Sequence, residues 1–455
     1  MFNLQGKKVL VIGMARSGQA AVRFLLKQGA LVTGTDQKDE QLFGAEFQEF
    51  KKQPISLITG GYPEVKPGDF DLIIVSPGVP KNIEPILAAE KLNIPIWSEL
   101  ELAGRFIKEP IIAVTGTNGK TTTTSLLGFI FKKAGLEVVV AGNIGVPLIQ
   151  EVEKDLDDTR RAAYWIVEVS SFQLERIEVF RPHIGVFLNL APDHLDRHGD
   201  LETYGRTKAR LFANQGAADY AVYNLDDPWV SRHMITVPSQ RCGFSCCKLP
   251  DRGIGIEGEQ IYYTFQGRKE HLCAVQDIRM PGYHNLENVL AAAAASLLAG
   301  VDQDDVVQAL TSFPGVPHRL EEVRVLNGVR YVNDSKGTNP EAVVKALDSY
   351  NNPIILIAGG RHKGSNLDGL AKKIRERVKA LILLGEAAPL FREAVMAEGF
   401  SNIWEAQTLF EAVTLAHSIA RNGDVVLLSP GCASWDMFRD YEERGDLFRK
   451  AVGEL

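Results

Sequence analysis

The sequence predicts an α/β protein with three domains, and three observations support this prediction. The chain has 455 residues, about three times the roughly 150 residues of an average domain. Short apolar runs typical of buried strands alternate with helical segments, which indicates parallel sheets covered by helices. The alternation restarts twice, so we predict domains at residues 1–98, 99–315 and 316–455.

The first domain follows a Rossmann-like pattern. An apolar run at 7–13 predicts a buried strand, and a helix follows over 17–28. Further strands are predicted at 31–35 and 71–76. This strand–helix–strand order is typical of a parallel sheet that binds a nucleotide at one edge.

The loop after the first strand matches a dinucleotide fingerprint only in part. It reads G-x-x-x-x-G from Gly13 to Gly18, with Ala15 where the fingerprint has its middle glycine. Asp36 ends the next strand at a spacing that suits an acid holding a ribose. A nucleotide-sugar offers the same diphosphate and ribose as a dinucleotide, so both ligands fit the pattern equally well.

The central domain begins the pattern again with a predicted strand at 111–115. Between 241 and 280, short alternating apolar runs are separated by glycines, which predicts a small antiparallel addition to a mostly parallel sheet. A helix is predicted to follow over 284–298. The other predicted strands of this domain lie at 164–169, 184–190 and 218–223.

A proline- and glycine-rich break at 313–317 predicts the second boundary. After it, strands again alternate with helices, so we expect a second Rossmann-like domain at the C-terminal side. Its predicted strands lie near 330–333, 354–359, 380–384 and 425–429.

The most specific short motif is a phosphate-binding loop, G-x-x-G-K-T, at 116–121. Its glycines allow backbone N–H groups to surround phosphate oxygens, and the following helix N-terminus favours negative charge. Lys120 can reach a transferring phosphate, and the Thr121 hydroxyl can bind Mg²⁺. Val114 stands where the usual motif has its first glycine. The loop predicts a central domain of the P-loop-ATPase type.

Polar residues follow two apolar strands downstream of this loop. Glu168 ends one strand, and Asn189 and His194 follow the next. Ligands of open parallel sheets bind at the carboxyl ends of strands, so a carboxylate and an imidazole there suit a metal beside nucleotide phosphates. Taken singly, each also fits an ordinary edge or loop residue. Lys208 lies between two arginines at a spacing typical of a solvated helix face.

Composition excludes several classes of protein. With 45% hydrophobic and 24% charged residues, the chain is not disordered or fibrous. A net charge of -7 argues against a wide nucleic-acid interface. No signal peptide or membrane span is evident, so we expect a cytoplasmic protein without membrane insertion. Four cysteines fall together near His271, but they form no C-x-x-C pair, which favours reduced thiols over a zinc site.

Longer motifs resemble the Mur ligases, the ATP-dependent amide-forming enzymes of bacterial cell-wall synthesis, over essentially the whole chain. The G-T-N-G-K-T-T loop is shared across that family and with folylpolyglutamate synthase. The segment E-V-S-S-F-Q-L-E at 168–175 resembles the branch that adds D-glutamate. Four further motifs resemble family motifs in the same order: N-L-A-P-D-H-L-D-R-H at 189–198, P-H-R at 317–319, N-D-S-K-G-T-N at 333–339 and S-P-G-C-A-S at 429–434.

The resemblance implies a ligase that uses ATP to join D-glutamate to UDP-N-acetylmuramoyl-L-alanine through an acyl phosphate, in peptidoglycan precursor synthesis. It implies two magnesium ions and a carbamylated Lys208 as cofactors, which replaces the solvated-face interpretation of that lysine. We expect a monomer whose partners are its small-molecule substrates. The implied catalytic residues are Lys120, Glu168, His194 and Lys208, and the implied metal ligands are Thr121, Glu168, His194 and Lys208.

The resemblance also implies one substrate for each domain: the UDP-sugar in the first, ATP in the central and the amino acid in the third. The implied ATP contacts are Gly116, Thr117, Asn118, Gly119, Lys120, Thr121, Thr122, Asn285, Asn288, Arg319 and Asp334. The implied contacts to the other two substrates are Ser17, Asp36, Ser76, Asn143, Ser170, His318, Lys336, Thr338, Lys363, Ser434 and Tyr441.

The chain departs from the family pattern in three places. Tyr441 stands where a phenylalanine is expected, Gly337 replaces a more usual alanine, and residues 37–38 differ from the expected form. We interpret the glycine as a minor change.

Three alternatives stay open beside this interpretation. A diamino-acid-adding or folate-type ligase is disfavoured by the V-S-S-F-Q-L segment and by the absence of a D-N-P motif from the third domain. An NAD-dependent dehydrogenase is disfavoured by Ala15 and by the second phosphate loop. A regulatory nucleotide-binding protein would leave Glu168, His194 and Lys208 without a purpose.

Overall fold

The computed structural model describes residues 3–42, 50, 52–157, 162–280, 283–362, 364 and 366–455. Three β-sheets with flanking helices confirm the predicted α/β class. The chain divides into two compact units, Met1–Arg279 with His284–Phe313, and Met280–Tyr283 with Pro314–Leu455. The first two sheets belong to the first unit and the third sheet to the second.

The first sheet has five parallel strands in the order β3-β2-β1-β4-β5. The strand order reverses between β1 and β4. At such a switch point, the loops that follow the two strands diverge and leave room for a ligand. Its helices are Arg16–Lys27 and Glu84–Lys91. Its strands are β1 Lys8–Ile12, β2 Leu31–Asp36, β3 Ile55–Thr59, β4 Leu72–Val75 and β5 Ile96–Ser98.

Close packing explains the glycines of the first loop. A Cβ atom at Gly18 would lie 1.8 Å from the carbonyl oxygen of Gly13. Gly13 itself has a φ of 91°, a conformation that favours glycine. The G-x-x-x-x-G pattern therefore lets the helix Arg16–Lys27 start directly against the end of β1.

The central sheet has nine strands in the order β14-β13-β12-β11-β10-β9-β6-β8-β7. Its helices are Glu99–Gly104, Lys120–Lys133, Leu148–Asp157, Ser171–Leu174, Leu195–His198, Leu201–Ala209, Pro228–His233, Tyr283–Leu298 and Gln303–Ser312. Its strands are β6 Ile111–Thr115, β7 Val138–Gly142, β8 Tyr164–Glu168, β9 Ile184–Phe187, β10 Tyr220–Asn224, β11 Gln240–Ser245, β12 Gly253–Glu257, β13 Gln260–Tyr263 and β14 Glu270–Ala274.

The antiparallel addition is smaller than the sequence predicts. Only β13 runs antiparallel to its two neighbours, β12 and β14, whereas β11 and β12 continue the parallel ladder from β10. Apolar alternation indicates a strand but not the direction of its neighbour, because the same half-buried face arises in either pairing. The addition therefore extends the edge of the main sheet.

The third sheet has six strands in the order β15-β16-β20-β17-β18-β19, and only β15 is antiparallel to its neighbour. The hairpin between β15 and β16 turns at Asn327 and Gly328, which both have positive φ. The helices are Pro340–Asp348, Asp368–Arg377, Ala388–Ala397, Leu409–Ile419 and Tyr441–Gly453. The strands are β15 Glu321–Leu326, β16 Val329–Asn333, β17 Ile354–Gly359, β18 Val378–Leu384, β19 Ile403–Glu405 and β20 Val425–Leu428.

No helix in the described part of the chain has the length and apolarity needed to cross a membrane.

The packing at Gly18 generates a stability prediction. Gly18→Ala places a methyl group against the Gly13 carbonyl oxygen, so we expect it to lower the free energy of unfolding by about 3 kcal/mol. Gly61→Ala is the matched control, because a Cβ atom there meets nothing within 4 Å. Urea denaturation of both variants checks this, and equal midpoints would contradict the packing argument.

Candidate active site

The phosphate-binding loop lies between β6 and the helix Lys120–Lys133, and its glycines have no room for side chains. Gly119 has a φ of 84°, and a Cβ atom there would lie 2.1 Å from Oδ1 of Asn288. A Cβ atom at Gly116 would lie 3.0 Å from Cβ of Leu188. The loop is therefore closely packed from two sides, and its shape depends on glycine at both positions.

Asn189 holds the same loop in place. Its Oδ1 accepts a hydrogen bond from the Asn118 backbone N–H at 2.9 Å, and its carbonyl accepts one from the Thr117 N–H at 3.0 Å. The Thr117 hydroxyl in turn accepts from the Ala191 N–H at 3.0 Å. Asn189, the polar residue after β9, thus joins its own loop to the phosphate-binding loop through hydrogen bonds.

Two lysine ammonium groups meet at one carbonyl oxygen of this loop. Lys120 Nζ donates to the Gly116 oxygen at 2.9 Å and to the Thr117 oxygen at 2.8 Å. Lys208 Nζ donates to the same Gly116 oxygen at 2.8 Å and lies 4.6 Å from the ring centre of Tyr204. Two ammonium groups held this close repel each other, and this repulsion favours the binding of an anion beside them.

Lys208 is 1% exposed, so its interpretation as part of a solvated helix face is wrong. Burial holds the pKa of Lys208 well below its usual range, and the charge of Lys120 acts in the same direction. Asp193 and Glu168 oppose the shift. Arg206, two residues earlier on the helix Leu201–Ala209, is exposed. The spacing alone did not separate the buried face of this helix from the solvated one.

Glu168 offers one free carboxylate oxygen at the end of β8. The residue is 2% exposed, and its Oε1 accepts a hydrogen bond from Asn143 Nδ2 at 2.9 Å. Its Oε2 is buried and has no hydrogen-bond partner among the described residues. A buried carboxylate oxygen without a donor is costly, and a hard cation such as Mg²⁺ would satisfy it.

His194 lies on an exposed loop with a φ of 52°. Its Nε2 lies 3.5 Å from Oδ2 of Asp193, and its ring centre lies 4.8 Å from that of Phe172. No group of three or more His, Cys, Asp or Glu side chains in the described ranges is arranged to hold a metal ion. A metal at Glu168 and His194 therefore stays a prediction, and it requires ligands from substrates or water.

The other predicted residues near the loop are mostly buried. Ser170 caps the helix Ser171–Leu174 in a reciprocal capping box with Gln173. Thr121 and Thr122 are buried at the start of the phosphate-loop helix. Asn288 Oδ1 accepts from the Thr123 hydroxyl at 3.3 Å, and Asn285 is also buried.

Two predicted substrate residues of the first sheet meet at its glycine loop. Asp36 accepts hydrogen bonds from the Met14 N–H at 2.7 Å and from the Lys38 N–H at 2.9 Å. The Ser76 hydroxyl donates to the Gly13 oxygen at 2.7 Å. Ser17 lies half-buried at the start of the next helix. Asp36 therefore orders the loop, and its ribose contact stays a prediction.

In the second unit, Asp334 is a buried carboxylate among the predicted site residues. It is 5% exposed, and its Oδ2 accepts from the Ser429 hydroxyl at 2.7 Å. Burial raises the pKa of Asp334 to about 6. A Cβ atom at Gly337 would lie 2.6 Å from Asp334 Oδ2 and 2.8 Å from Ser429 Oγ. This crowding gives the glycine a packing role in this chain, and the interpretation of Gly337 as a minor departure stays a prediction.

Two other predicted residues of this unit, Lys336 and His318, lie near Tyr441. Its ring centre lies 5.4 Å from Lys336 Nζ and 6.2 Å from the ring centre of His318. Thr338 is half-buried and Ser434 is buried. Arg319 has a buried Nε without a partner among the described residues. Lys363 lies outside the described residues.

Arg444 is the residue that the sequence reasoning missed. It is 2% exposed, and its guanidinium donates to Ser335 Oγ at 3.0 Å and to the carbonyl oxygen of Cys432 at 3.3 Å. Burial lowers its pKa to about 10. Arg444 thus joins the loop after β16 to the loop after β20. An arginine near a helix start gives no sequence signal of such burial.

Three family models match consecutive parts of the chain and together cover most of it. They describe a Mur ligase MurD-like N-terminal domain at 7–98, a Mur ligase middle domain at 114–296, and a Mur ligase glutamate ligase domain at 318–432. The chain belongs to the Mur ligase family.

Relatives of this Mur ligase match along nearly its whole length. A UDP-N-acetylmuramoylalanine--D-glutamate ligase of Pelotomaculum thermopropionicum is 51% identical over 99% of this chain and 98% of the relative. A relative of the same name from Caldicellulosiruptor bescii is 44% identical over 100% of this chain and 99% of its own.

Two solved structures share the fold. The UDP-N-acetylmuramate-alanine ligase MurC of Thermotoga maritima has a TM-score of 0.60 at 19% identity, over 98% of this chain and 99% of that chain. A MurF ligase of the same organism in complex with ADP has a TM-score of 0.58 at 18% identity, over 99% and 96%.

The environment of Asp334 generates a prediction about pH. Its pKa in the folded chain lies above the ordinary value of 3.8, so the charged form costs stability above about pH 6. That cost is relieved as pH falls through 6. Asp334→Asn lacks the cost, so we expect it to be more stable than the wild type at pH 8, by up to about 2 to 3 kcal/mol.

Denaturation curves of both proteins between pH 4 and pH 8 would measure this difference. It should shrink as pH falls toward 4. A difference that stays constant across the range would show that Asp334 does not titrate there.

Proposed function

We propose that this chain is an ATP-dependent ligase that joins D-glutamate to UDP-N-acetylmuramoyl-L-alanine and releases ADP and phosphate, in peptidoglycan precursor synthesis. The observation that carries the proposal is the 51% identity to a relative of that name over 99% of the chain. The phosphate loop with its two lysines supports the same reaction class.

The proposal assigns one substrate to each domain, with boundaries at 1–98, 99–315 and 316–455. The three family matches fall inside these ranges, which supports the division. Ser17, Asp36 and Ser76 would contact the uridine diphosphate, and Asn143 and Ser170 the muramoyl part. The second boundary also agrees with the break between the two compact units at Phe313 and Pro314.

The loop residues would position ATP for transfer. Backbone N–H groups of residues 116–122 would surround the phosphates, and Lys120 would meet the charge of the transferring group. Asn285, Asn288, Arg319 and Asp334 are the proposed contacts to the rest of the nucleotide.

The donor set at the loop fits magnesium, because Glu168 Oε2 is buried without a partner among the described residues. Thr121, Glu168, His194 and a carbamylated Lys208 would hold the two ions. When bound, Mg²⁺ neutralises charge on the phosphate oxygens.

The chemistry divides one difficult step into two easier ones. A carboxylate is a poor electrophile, so the γ-phosphoryl group is first transferred to an oxygen of the L-alanine carboxylate, and ADP leaves. The amine nitrogen of D-glutamate then attacks the carbonyl carbon of this acyl phosphate, and inorganic phosphate leaves as the amide forms. His194 is the proposed acceptor of the amine proton. Positioning of the substrates is most of the task.

Carbamylation of Lys208 is the finer part of the proposal. An amine attacks CO₂ only in its neutral form, and burial lowers the pKa of Lys208. The carbamate is an anion, so it would replace a repulsion between two ammonium groups by an attraction to Lys120.

D-Glutamate carries two carboxylates, which suit cationic and hydroxyl donors. Lys336, Thr338, Lys363 and Ser434 are the proposed contacts, with His318 and Tyr441 beside them. We also infer a monomer that works in the cytoplasm, where ATP is available.

One assay tests the function. Phosphate release from Mg²⁺-ATP is measured with UDP-N-acetylmuramoyl-L-alanine and D-glutamate, L-glutamate or a diamino acid. We expect phosphate release only with D-glutamate. Phosphate release that does not depend on D-glutamate would refute the assignment. Lys120→Ala should lower kcat by at least about 100-fold, because a preorganised cation at the transferring phosphate is lost.

A rescue experiment tests the carbamate. Lys208→Ala should lose at least about 100-fold in kcat, and a short carboxylic acid such as formate should restore part of it by supplying the missing anion. Arg206→Ala, on the exposed face of the same helix, is the control and should stay active. Unchanged activity of Lys208→Ala, or loss without any rescue, would count against carbamylation.

A further inference from the structure

Glu99 is a buried carboxylate that the proposed chemistry does not use. It lies at the start of the helix Glu99–Gly104 and is 1% exposed. Its Oε1 accepts a hydrogen bond from the Ile149 backbone N–H at 2.6 Å. Its Oε2 is buried without a hydrogen-bond partner in the described part of the chain. A buried carboxylate oxygen without a hydrogen bond destabilises the folded protein, so the presence of Glu99 at this position requires an explanation.

The first contact of Glu99 is with a helix start. The helix Leu148–Asp157 follows Pro147, which has no side-chain acceptor to serve as its N-cap. The backbone N–H groups of Leu148 and Ile149 face Glu99 instead. A carboxylate from another helix thus satisfies the unpaired N–H groups at this helix start and favours its dipole.

This helix start closes the loop that carries Asn143. The loop spans 142–147, and the Gly142 N–H donates to the Val146 oxygen at 3.1 Å. Asn143 donates from its backbone to the Glu168 carbonyl and from its side chain to the Glu168 carboxylate. The loop that carries Asn143 is therefore held by Glu168 through Asn143 itself and by Glu99 at the helix start that follows the loop.

The second contact of Glu99 leads to Ser170. The side-chain amide of Gln173 faces the Glu99 carboxyl and helps to hold its pKa down. The Oε1 of the same amide accepts from both the backbone N–H and the hydroxyl of Ser170, each at 2.9 Å. Glu99 therefore faces the residue whose side chain completes the capping box of Ser170.

We propose that Glu99 is a positioning residue. It keeps the loop 142–147 and Ser170 in fixed positions relative to each other and thereby sets the affinity for the muramoyl part of the nucleotide-sugar. The inference rests on the proposed function, which places Asn143 and Ser170 against that substrate. The Glu99 carboxylate accepts from the start of the helix Leu148–Asp157, and the Gln173 amide faces it from the other element. An amide at this place would set one of its own N–H groups against these donors.

Glu101, on the same helix, is the matched control. It is fully buried, and its carboxylate accepts from the backbone N–H groups of Glu178, Val179 and Phe180 and from Arg105 Nε. It is thus a satisfied structural anchor that contacts neither the loop 142–147 nor Ser170 through these bonds. Glu101→Gln should lower the melting temperature and leave the KM values unchanged.

The decisive variant is Glu99→Gln. We expect its KM for UDP-N-acetylmuramoyl-L-alanine to rise about tenfold, the value of roughly one well-placed hydrogen bond, with kcat and the KM for ATP within about twofold. Calorimetric titration with the same nucleotide-sugar should show an equal loss of affinity without turnover. Glu99→Asp keeps the charge on a shorter side chain, so it should show a smaller loss, and it replaces Glu99→Gln if that variant does not fold.

The pH profile supplies a second readout. The groups that face Glu99 in the described ranges, two backbone N–H groups and the Gln173 amide, are uncharged, and burial raises its pKa to about 7. Protonation below that pH removes the anion, so the wild-type KM for the nucleotide-sugar should rise as pH falls through about 7. In Glu99→Gln the KM should already be high and lack this inflection.

Stability separates positioning from a merely structural role. The charged form of Glu99 costs stability above about pH 7, because its folded pKa exceeds the ordinary value of 4.5. Glu99→Gln should therefore melt at the same or a higher temperature at pH 8. An active wild type with an unchanged KM in the variant overturns this inference alone, whereas a wild type without D-glutamate-dependent turnover overturns the proposed function.

Discussion

The candidate site depends on one carbonyl oxygen, that of Gly116, to which both Lys120 and Lys208 donate. The loop packing of Gly116 and Gly119 brings the first lysine there, and the helix Leu201–Ala209 brings the second from 88 residues further along the sequence. The second lysine is buried, and burial together with the charge of Lys120 lowers its pKa. The two ammonium groups therefore repel each other, and a bound anion would relieve that repulsion.

This arrangement explains how a chain with a net charge of -7 serves as a receptor for anions. All of the proposed ligands are small and negative, so a broad basic surface is unnecessary. Two lysines and a helix N-terminus act over distances shorter than the screening length of about 10 Å. Buried carboxylates at Glu168 and Glu99 then order the surrounding loops, and the acidic remainder of the surface has little influence on the site.

The same principle of buried polar anchors recurs in the second unit, where one anchor is an arginine and the other a carboxylate. Arg444 joins two loops through Ser335 and Cys432, and Asp334 bonds Ser429 where Gly337 leaves no room for a methyl group. Such anchors fix loops at the carboxyl ends of parallel strands, where the backbone itself has few partners. The loops can then carry binding residues without collapsing onto the sheet.

By itself, the sequence determined the α/β class, the phosphate-binding loop, the family and most of the strands of the three sheets, because these follow from local periodicity and from motifs that are contiguous in the chain. Tertiary structure alone decided the parallel pairing of β11 and β12, the burial of Lys208, the crowding at Gly337 and the anchoring by Glu99 and Arg444. Each of these depends on which distant segment packs against a residue. Local spacing carries no record of that partner, so a buried lysine and a solvated one look alike until the chain is folded.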